Sequence, residues 1–170
     1  VHTSIGVHMG AYFRDVGLGP TSAALAVSLS WSVSAVGSII WGWVTDKVDV
    51  RYAFSGMFLF QAGSTLYLIF VGGTTGVFLA AALFGVVSAG SNVVPAVMYA
   101  NYFGRNSLGK IRGLGEIGVL VGQGTGPVIA GILFAIQGDY TTIFIVFVLL
   151  ALTCSLLLFK VRDPVRKRAA

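Results

Sequence analysis

The sequence predicts an all-α, polytopic membrane fold with six transmembrane helices, on three observations. First, 56% of the 170 residues are hydrophobic and only 10% charged, with a mean hydropathy of +0.88. That is too little polar surface to cover a soluble globule. Second, the few charges cluster between apolar runs instead of lying along helix faces. Third, Gly42-Trp-Val-Thr-Asp46-Lys47-Val-Asp49-Val-Arg51 separates two uncharged runs, Thr21–Val44 and Tyr52–Val71. Each is long enough to cross a hydrocarbon core of about 30 Å at about 1.5 Å per helical residue.

The elements follow in order. Val1–Phe13 is too short to span and closes at Arg14 and Asp15, so it reads as the end of a helix that begins upstream. Gly17-Leu-Gly-Pro20 turns the chain. Thr21–Val44 and Tyr52–Val71 are the second and third segments. Gly72-Gly73-Thr-Thr-Gly76 interrupts the uncharged stretch that follows, because clustered glycine disfavours helix. The fourth segment runs from Val77 to about Tyr102, and a charged loop with Arg105, Lys110 and Arg112 follows. The fifth is Gly113–Ile136, Gly138-Asp139 turns the chain again, and the sixth is Tyr140–Phe159. Residues 1–160 thus read as a bundle with a truncated first helix, and 161–170 as a basic tail. The absence of an initiator Met suggests a fragment, and no basic leader marks a signal peptide. The lone Cys154 leaves no intrachain disulfide.

Lys and Arg set the expected orientation. Of the 11 in the chain, only Arg14 falls on one side if the loops at Lys47 and Arg105 and the tail share the other. Such asymmetry places the tail in the cytoplasm. The tail itself reads as an anchor for anionic lipid headgroups.

Helices in lipid pack closely through small residues. Gly118, Gly122 and Gly126 recur every fourth residue in the fifth segment, and that face is expected to meet another helix. Pro127 adds a kink. Ser30, Ser34, Ser38 and Gly42 make a comparable stripe on the second segment. The sixth, glycine-free and rich in Leu, Val, Ile and Phe, reads as lipid-exposed, and so does the third, with Phe54, Phe58, Phe60, Leu66 and Phe70. Segments one, two, four and five then form the inner set. Leucine at Gly122 or Gly126 is expected to damage packing more than leucine at Ala151.

Gly42, Asp46, Lys47 and Arg51 match the pattern Gly-x-x-x-Asp-(Arg/Lys)-x-x-x-(Arg/Lys). This resembles the signature loop of the major facilitator superfamily, found between the second and third helices of each six-helix half. Gly122-x-x-x-Gly126-Pro127 resembles the Gly-x-x-x-Gly-Pro motif of the fifth helix. Together with Tyr102-Phe-Gly-Arg105-Asn-Ser-Leu-Gly-Lys-Ile-Arg112-Gly, the chain resembles the monocarboxylate and oxalate/formate branch. The resemblance implies a C-terminal half of a 12-helix fold, comprising helices seven to twelve, with the first, second, fourth and fifth helices of the half around a central cavity. It also implies that the loop latches one access state, although the same charges serve equally as a topogenic loop. In the latch, Asp46 accepts hydrogen bonds or offsets the positive end of a helix from the other half. Lys47 and Arg51 bind carbonyls or lipid phosphates, and Asp49, outside the pattern, is expected to be solvated.

His8 and Tyr12, four residues apart, share a helix face. An intramembrane His either gates protons or an anion, or is satisfied by a neighbouring carbonyl. Gly85, Ser88, Asn92 and Tyr99 lie near one face of the fourth segment, and Asn92 contacts either substrate or an adjacent helix. Gln123 and Thr125 add polar groups, and Trp31 an aromatic wall. The cavity candidates are therefore His8, Tyr12, Trp31, Ser34, Asn92 and Gln123. Trp41 and Trp43 read as interfacial anchors. Glu116, four residues after Arg112, is expected to pair with it. The second and fourth segments carry no Arg, Lys or Asp within the membrane, a departure from the resembled branch, which commonly places a cationic anchor in the second helix of this half.

The resemblance thus implies secondary active transport of a small solute, an organic anion such as a monocarboxylate in the first instance, by alternating access. A neutral solute or drug, or a non-transporting scaffold or sensor, are the rival readings on the same fold. An intramembrane serine protease would need Ser91 and His8 paired, and no Gly-x-Ser-x-Gly turn supports it. The expected partners are a small-molecule substrate, the N-terminal six-helix half of the same protein and membrane lipids. No enzyme activity, cofactor, metal or nucleic acid is expected. The expected location is the plasma membrane, a bacterial inner membrane, with multiple passes.

Overall fold

The computed structural model describes residues 2–15, 17–104 and 108–160. Arg105 and the tail at 161–170 lie outside the described residues. Six helices occur among them: α1 (His2–Asp15), α2 (Pro20–Lys47), α3 (Val50–Ile69), α4 (Gly73–Phe103), α5 (Leu108–Gln137) and α6 (Thr141–Lys160). By length and composition α2, α4, α5 and α6 can cross a membrane. α1 has only 14 residues, and α3 is long enough, but Arg51, Ser55, Gln61, Ser64 and Thr65 dilute its hydropathy.

The helices overrun the expected segments, which reassigns several residues. α2 starts on Pro20, suited to a first turn because its missing N–H has no helical partner there. It continues through Asp46 and Lys47, so the α2–α3 connection is only Val48 and Asp49. Thr74, Thr75 and Gly76 belong to α4, and the break before it shrinks to residues 70–72. Lys110 and Arg112 belong to α5, not to a loop. Gly104 and Gly138 close α4 and α5 at φ of +77° and +74°, a conformation that favours glycine.

The tight connections make an up-and-down bundle. One end gathers the end of α1, the start of α2 and the α3–α4 and α5–α6 connections; Tyr140 there stacks on Phe134 at 4.3 Å and meets Tyr12 edge-on at 5.6 Å. The other gathers the α2–α3 turn, the start of α5 and the end of α6, where Tyr52 meets Phe159 at 5.5 Å. Ile5, Met9 and Phe13 of α1 form a core at the first end with Val77, Ala81 and Phe84 of α4 and Phe144 of α6. Val50, Ala53, Met57 and Val94 form a second core near the other.

Small residues set the closest packing, as expected for helices in lipid, but mainly in the α2–α4 pair. The buried face of α2 is Ala23, Ala26, Ser30, Ser34, Gly37 and Thr45. A Cβ on Gly85 would collide with the Ser30 carbonyl oxygen, and one on Gly90 would stand 2.9 Å from the Trp41 indole of α2. Trp41 is drawn into this seam instead of anchoring at an interface: its indole N–H donates to the Val86 carbonyl at 2.9 Å. Trp43 stays exposed.

α3 lies between α4 and α6 and is an inner helix, contrary to the expectation from its phenylalanines. Its buried face is built of Ala53, Ser55, Ala62, Ser64, Thr65 and their neighbours. Ser55 and Ser155 lock it to α6, each hydroxyl donating to the other's carbonyl at 2.9 and 3.0 Å. α6 exposes Leu149, Leu150, Leu156 and Leu157 as expected. The expected order of leucine substitutions reverses, because Ala151 is 1% exposed while a Cβ on Gly122 meets nothing within 4 Å. Gly118 likewise faces open space, so the glycine stripe of α5 does not pack on a helix of this chain at those two positions.

Candidate functional site

A cavity of about 740 Å³ opens between α3, α4 and α5. Helical periodicity explains its lining. From α4 come Phe84, Ser88, Ser91, Asn92, Pro95 and Tyr99, spaced by three and four residues along one face. α5 supplies Arg112, Glu116, Val119, Gly122 and Gln123 in the same rhythm, and α3 supplies Phe54, Met57, Phe58 and Gln61. Trp31 of α2 and Gly6 of α1 complete the wall. Because Gly118 and Gly122 carry no side chain, the α5 wall stays open.

One end of the cavity is charged. Arg112 Nε donates to Glu116 Oε1 at 3.3 Å, the expected pair one helical turn apart. Both side chains remain about half exposed, at 52% and 46%. Beside them α4 crosses α5 so closely that the Tyr99 hydroxyl occupies the place a Cβ on Gly115 would need. The cavity is also lined by Gln61, Ser88, Asn92 and Gln123 and by the aromatic residues Trp31, Phe54, Phe58 and Phe84.

The structure places Trp31, Asn92 and Gln123 on the wall of this cavity, but not the other three candidates. Ser34 is buried and absent from the lining. His8 and Tyr12 line a separate apolar pocket of about 10 Å³ between α1, α5 and α6, with no room to spare beyond about one water. His8 Nε2 donates to the Pro127 carbonyl at 3.3 Å, and the Tyr12 hydroxyl donates to the Leu68 carbonyl. Both are satisfied by neighbouring backbone. Ser91 donates to Val87 of its own helix at 3.1 Å, and no hydrogen bond joins it to His8 among the described residues.

The loop pattern has its own geometry. Asp46 and Lys47 are exposed on the last turn of α2 and form no ion pair among the described residues. A carboxylate at that position lies near the negative end of its own helix, which leaves it in want of an external positive partner. Asp49 is not simply solvated: it caps α3 by accepting from the Arg51 backbone N–H at 3.1 Å, and its other oxygen pairs with Arg51 Nε at 3.3 Å. Arg51 also lies over the Tyr52 ring at 4.5 Å.

Sequence reasoning missed Arg112 as a cavity residue, since it assigned that residue to a loop. The signal was available: Arg112, Glu116, Val119 and Gln123 continue one helical face from a charged start into the glycine stripe.

Spanning-length apolar helices around an open cavity with a few polar and charged groups are the frame of a multi-pass membrane carrier. The sequence model of the Major Facilitator Superfamily matches residues 2–170. The chain belongs to the Major Facilitator Superfamily. Superfamily members are transporters and not enzymes. Among curated proteins, none matches the chain.

Proposed function

We propose that this superfamily chain is the C-terminal half of a secondary active transporter that carries a small organic anion by alternating access. The observation that supports the anion most directly is Arg112 on the wall of the 740 Å³ cavity. It supplies the cation that the second and fourth helices lack. α5 brings it in, so an anionic solute needs no charge from elsewhere to be recognised.

Energy would come from a solute or proton gradient. In this reading the N-terminal half closes the open side of the cavity and abuts the glycine face of α5 at Gly118, Gly122 and Gly126, beside Pro127. Asp46 reaches the other half from the loop pattern, with Gly42, Lys47 and Arg51 completing the latch. Among the described residues, Lys47, Arg51, Lys110, Arg112 and Lys160 belong to one end of the bundle, which supports a cytoplasmic face there and a cytoplasmic C-terminus. The membrane proposed is the plasma membrane, with lipid headgroups as further partners.

The test is uptake by cells expressing the full-length protein, with labelled lactate, oxalate, formate, 3-phenylpropionate and a neutral sugar across an imposed pH gradient. Uptake of an acid that collapses with the gradient supports the reading. Uptake of the sugar alone assigns a neutral solute, and no flux of any kind returns the chain to the scaffold reading.

A further inference from the structure

We infer that the cavity selects a monocarboxylate with a sizeable apolar body, whose carboxylate exchanges with Glu116 for the guanidinium of Arg112. This rests on the transport reading above and names its substrate class. Three features of the cavity carry it.

The first is the pair itself. Glu116 engages only Nε of Arg112. The guanidinium carries five N–H donors, and no hydrogen bond occupies its terminal nitrogens among the described residues. A carboxylate can therefore approach in the two-pronged geometry that suits Arg. The pair is half exposed, and exposed ion pairs are weak, so Glu116 can be displaced and hydrated without a large penalty.

The second is the charge count. Among the described residues, Arg112 is the only cation on the cavity wall and Glu116 the only anion. One carboxylate finds a partner. A dicarboxylate such as oxalate would bring a second charge against Glu116 with no cation to meet it.

The third is size and lining. A cavity of 740 Å³ falls among those of about 300–1,000 Å³ that hold drug-sized ligands. An acid of one to three carbons displaces only a few waters of about 30 Å³ each. The wall also carries Trp31, Phe54, Met57, Phe58 and Phe84, aromatic and soft groups that favour burial of an apolar body. The amides of Asn92 and Gln123 leave room for one or two polar substituents.

Equilibrium binding to the full-length protein in lipid nanodiscs tests this, with labelled 3-phenylpropionate as probe and 3-phenylpropionamide, lactate, formate and oxalate as competitors. The amide is expected to compete about tenfold more weakly or worse, the difference set by a charge-assisted hydrogen bond, and the small acids more weakly still. Arg112→Gln should weaken probe binding about tenfold, Arg112→Lys less, and Glu116→Gln should tighten it by removing the rival carboxylate. A merely structural pair would respond in the same direction to loss of either partner. Equal competition by acid and amide, equal competition by lactate, or weakening by Glu116→Gln would each overturn the inference. Probe binding without flux would sink the transport reading alone, and lactate flux without probe binding would sink this inference alone.

Discussion

His8 on α1 donates from Nε2 to the carbonyl oxygen of Pro127, 3.3 Å away on α5. The bond ties the first helix to the fifth at its proline. Because the bond is the polar tie between α1 and α5, while Ile5, Met9 and Phe13 hold α1 to α4 and α6 through apolar contacts, losing it should loosen α1 without releasing it. His8→Ala is expected to cost about 1 kcal/mol, read as a lower Tm in detergent, with protease sensitivity rising near α1. An unchanged Tm would mean that the apolar contacts of Ile5, Met9 and Phe13 hold α1 unaided.

Ala151→Leu should destabilise the bundle by about 1–3 kcal/mol through overpacking against α3, and Gly85→Val by at least as much. Gly122→Leu should leave Tm of this half nearly unchanged while narrowing the cavity. Thermal unfolding of the six-helix fragment compares the three directly. A larger loss at Gly122 than at Ala151 would contradict the packing described here.

The Ser55–Ser155 clasp predicts coupling. The two hydroxyls also lie 2.7 Å apart; each single alanine variant removes that contact but leaves the other hydroxyl its carbonyl, so a double-mutant cycle should show an interaction energy of up to about 1 kcal/mol. Additive losses would mean that each hydroxyl is satisfied elsewhere.

Asp46 and Asp49 should separate cleanly. Asp46→Asn is expected to lower uptake with surface expression intact, since Asp46 has no partner within the described chain. Asp49→Ala should cost about 1 kcal/mol of stability by removing the α3 cap and the Arg51 pair. Normal uptake by Asp46→Asn would remove the latch role.

Much of the architecture is legible in the sequence because the bilayer imposes long uncharged runs, and the charge clusters around Asp46, Lys47 and Arg51 mark where they stop. Burial is less legible. α3 exposes Phe60, turns Phe54 and Phe58 to the cavity and hides Ala53, Ser55, Ala62 and Ser64, and in a membrane hydrophobicity does not distinguish inside from outside. Gly118 and Gly122 illustrate the same ambiguity: a glycine stripe admits either a neighbouring helix or an open cavity. His8 and Tyr12 face away from the cavity because of the rotational setting of α1, which depends on contacts with Leu68, Tyr140 and Phe144 far along the chain. Arg112 was obscured for a local reason, since α5 begins at Leu108, before the charges end.

The most direct test of the central claim, that the cavity between α3, α4 and α5 is the solute path, is alkylation of Asn92→Cys by a membrane-impermeant maleimide. The full-length protein would carry no other cysteine, with Cys154→Ser included, and would be studied in right-side-out and inside-out vesicles. Alternating access predicts labelling from both sides, at rates that shift in opposite directions when a pH gradient is imposed. Labelling confined to one side under every condition, or none from either, would contradict it.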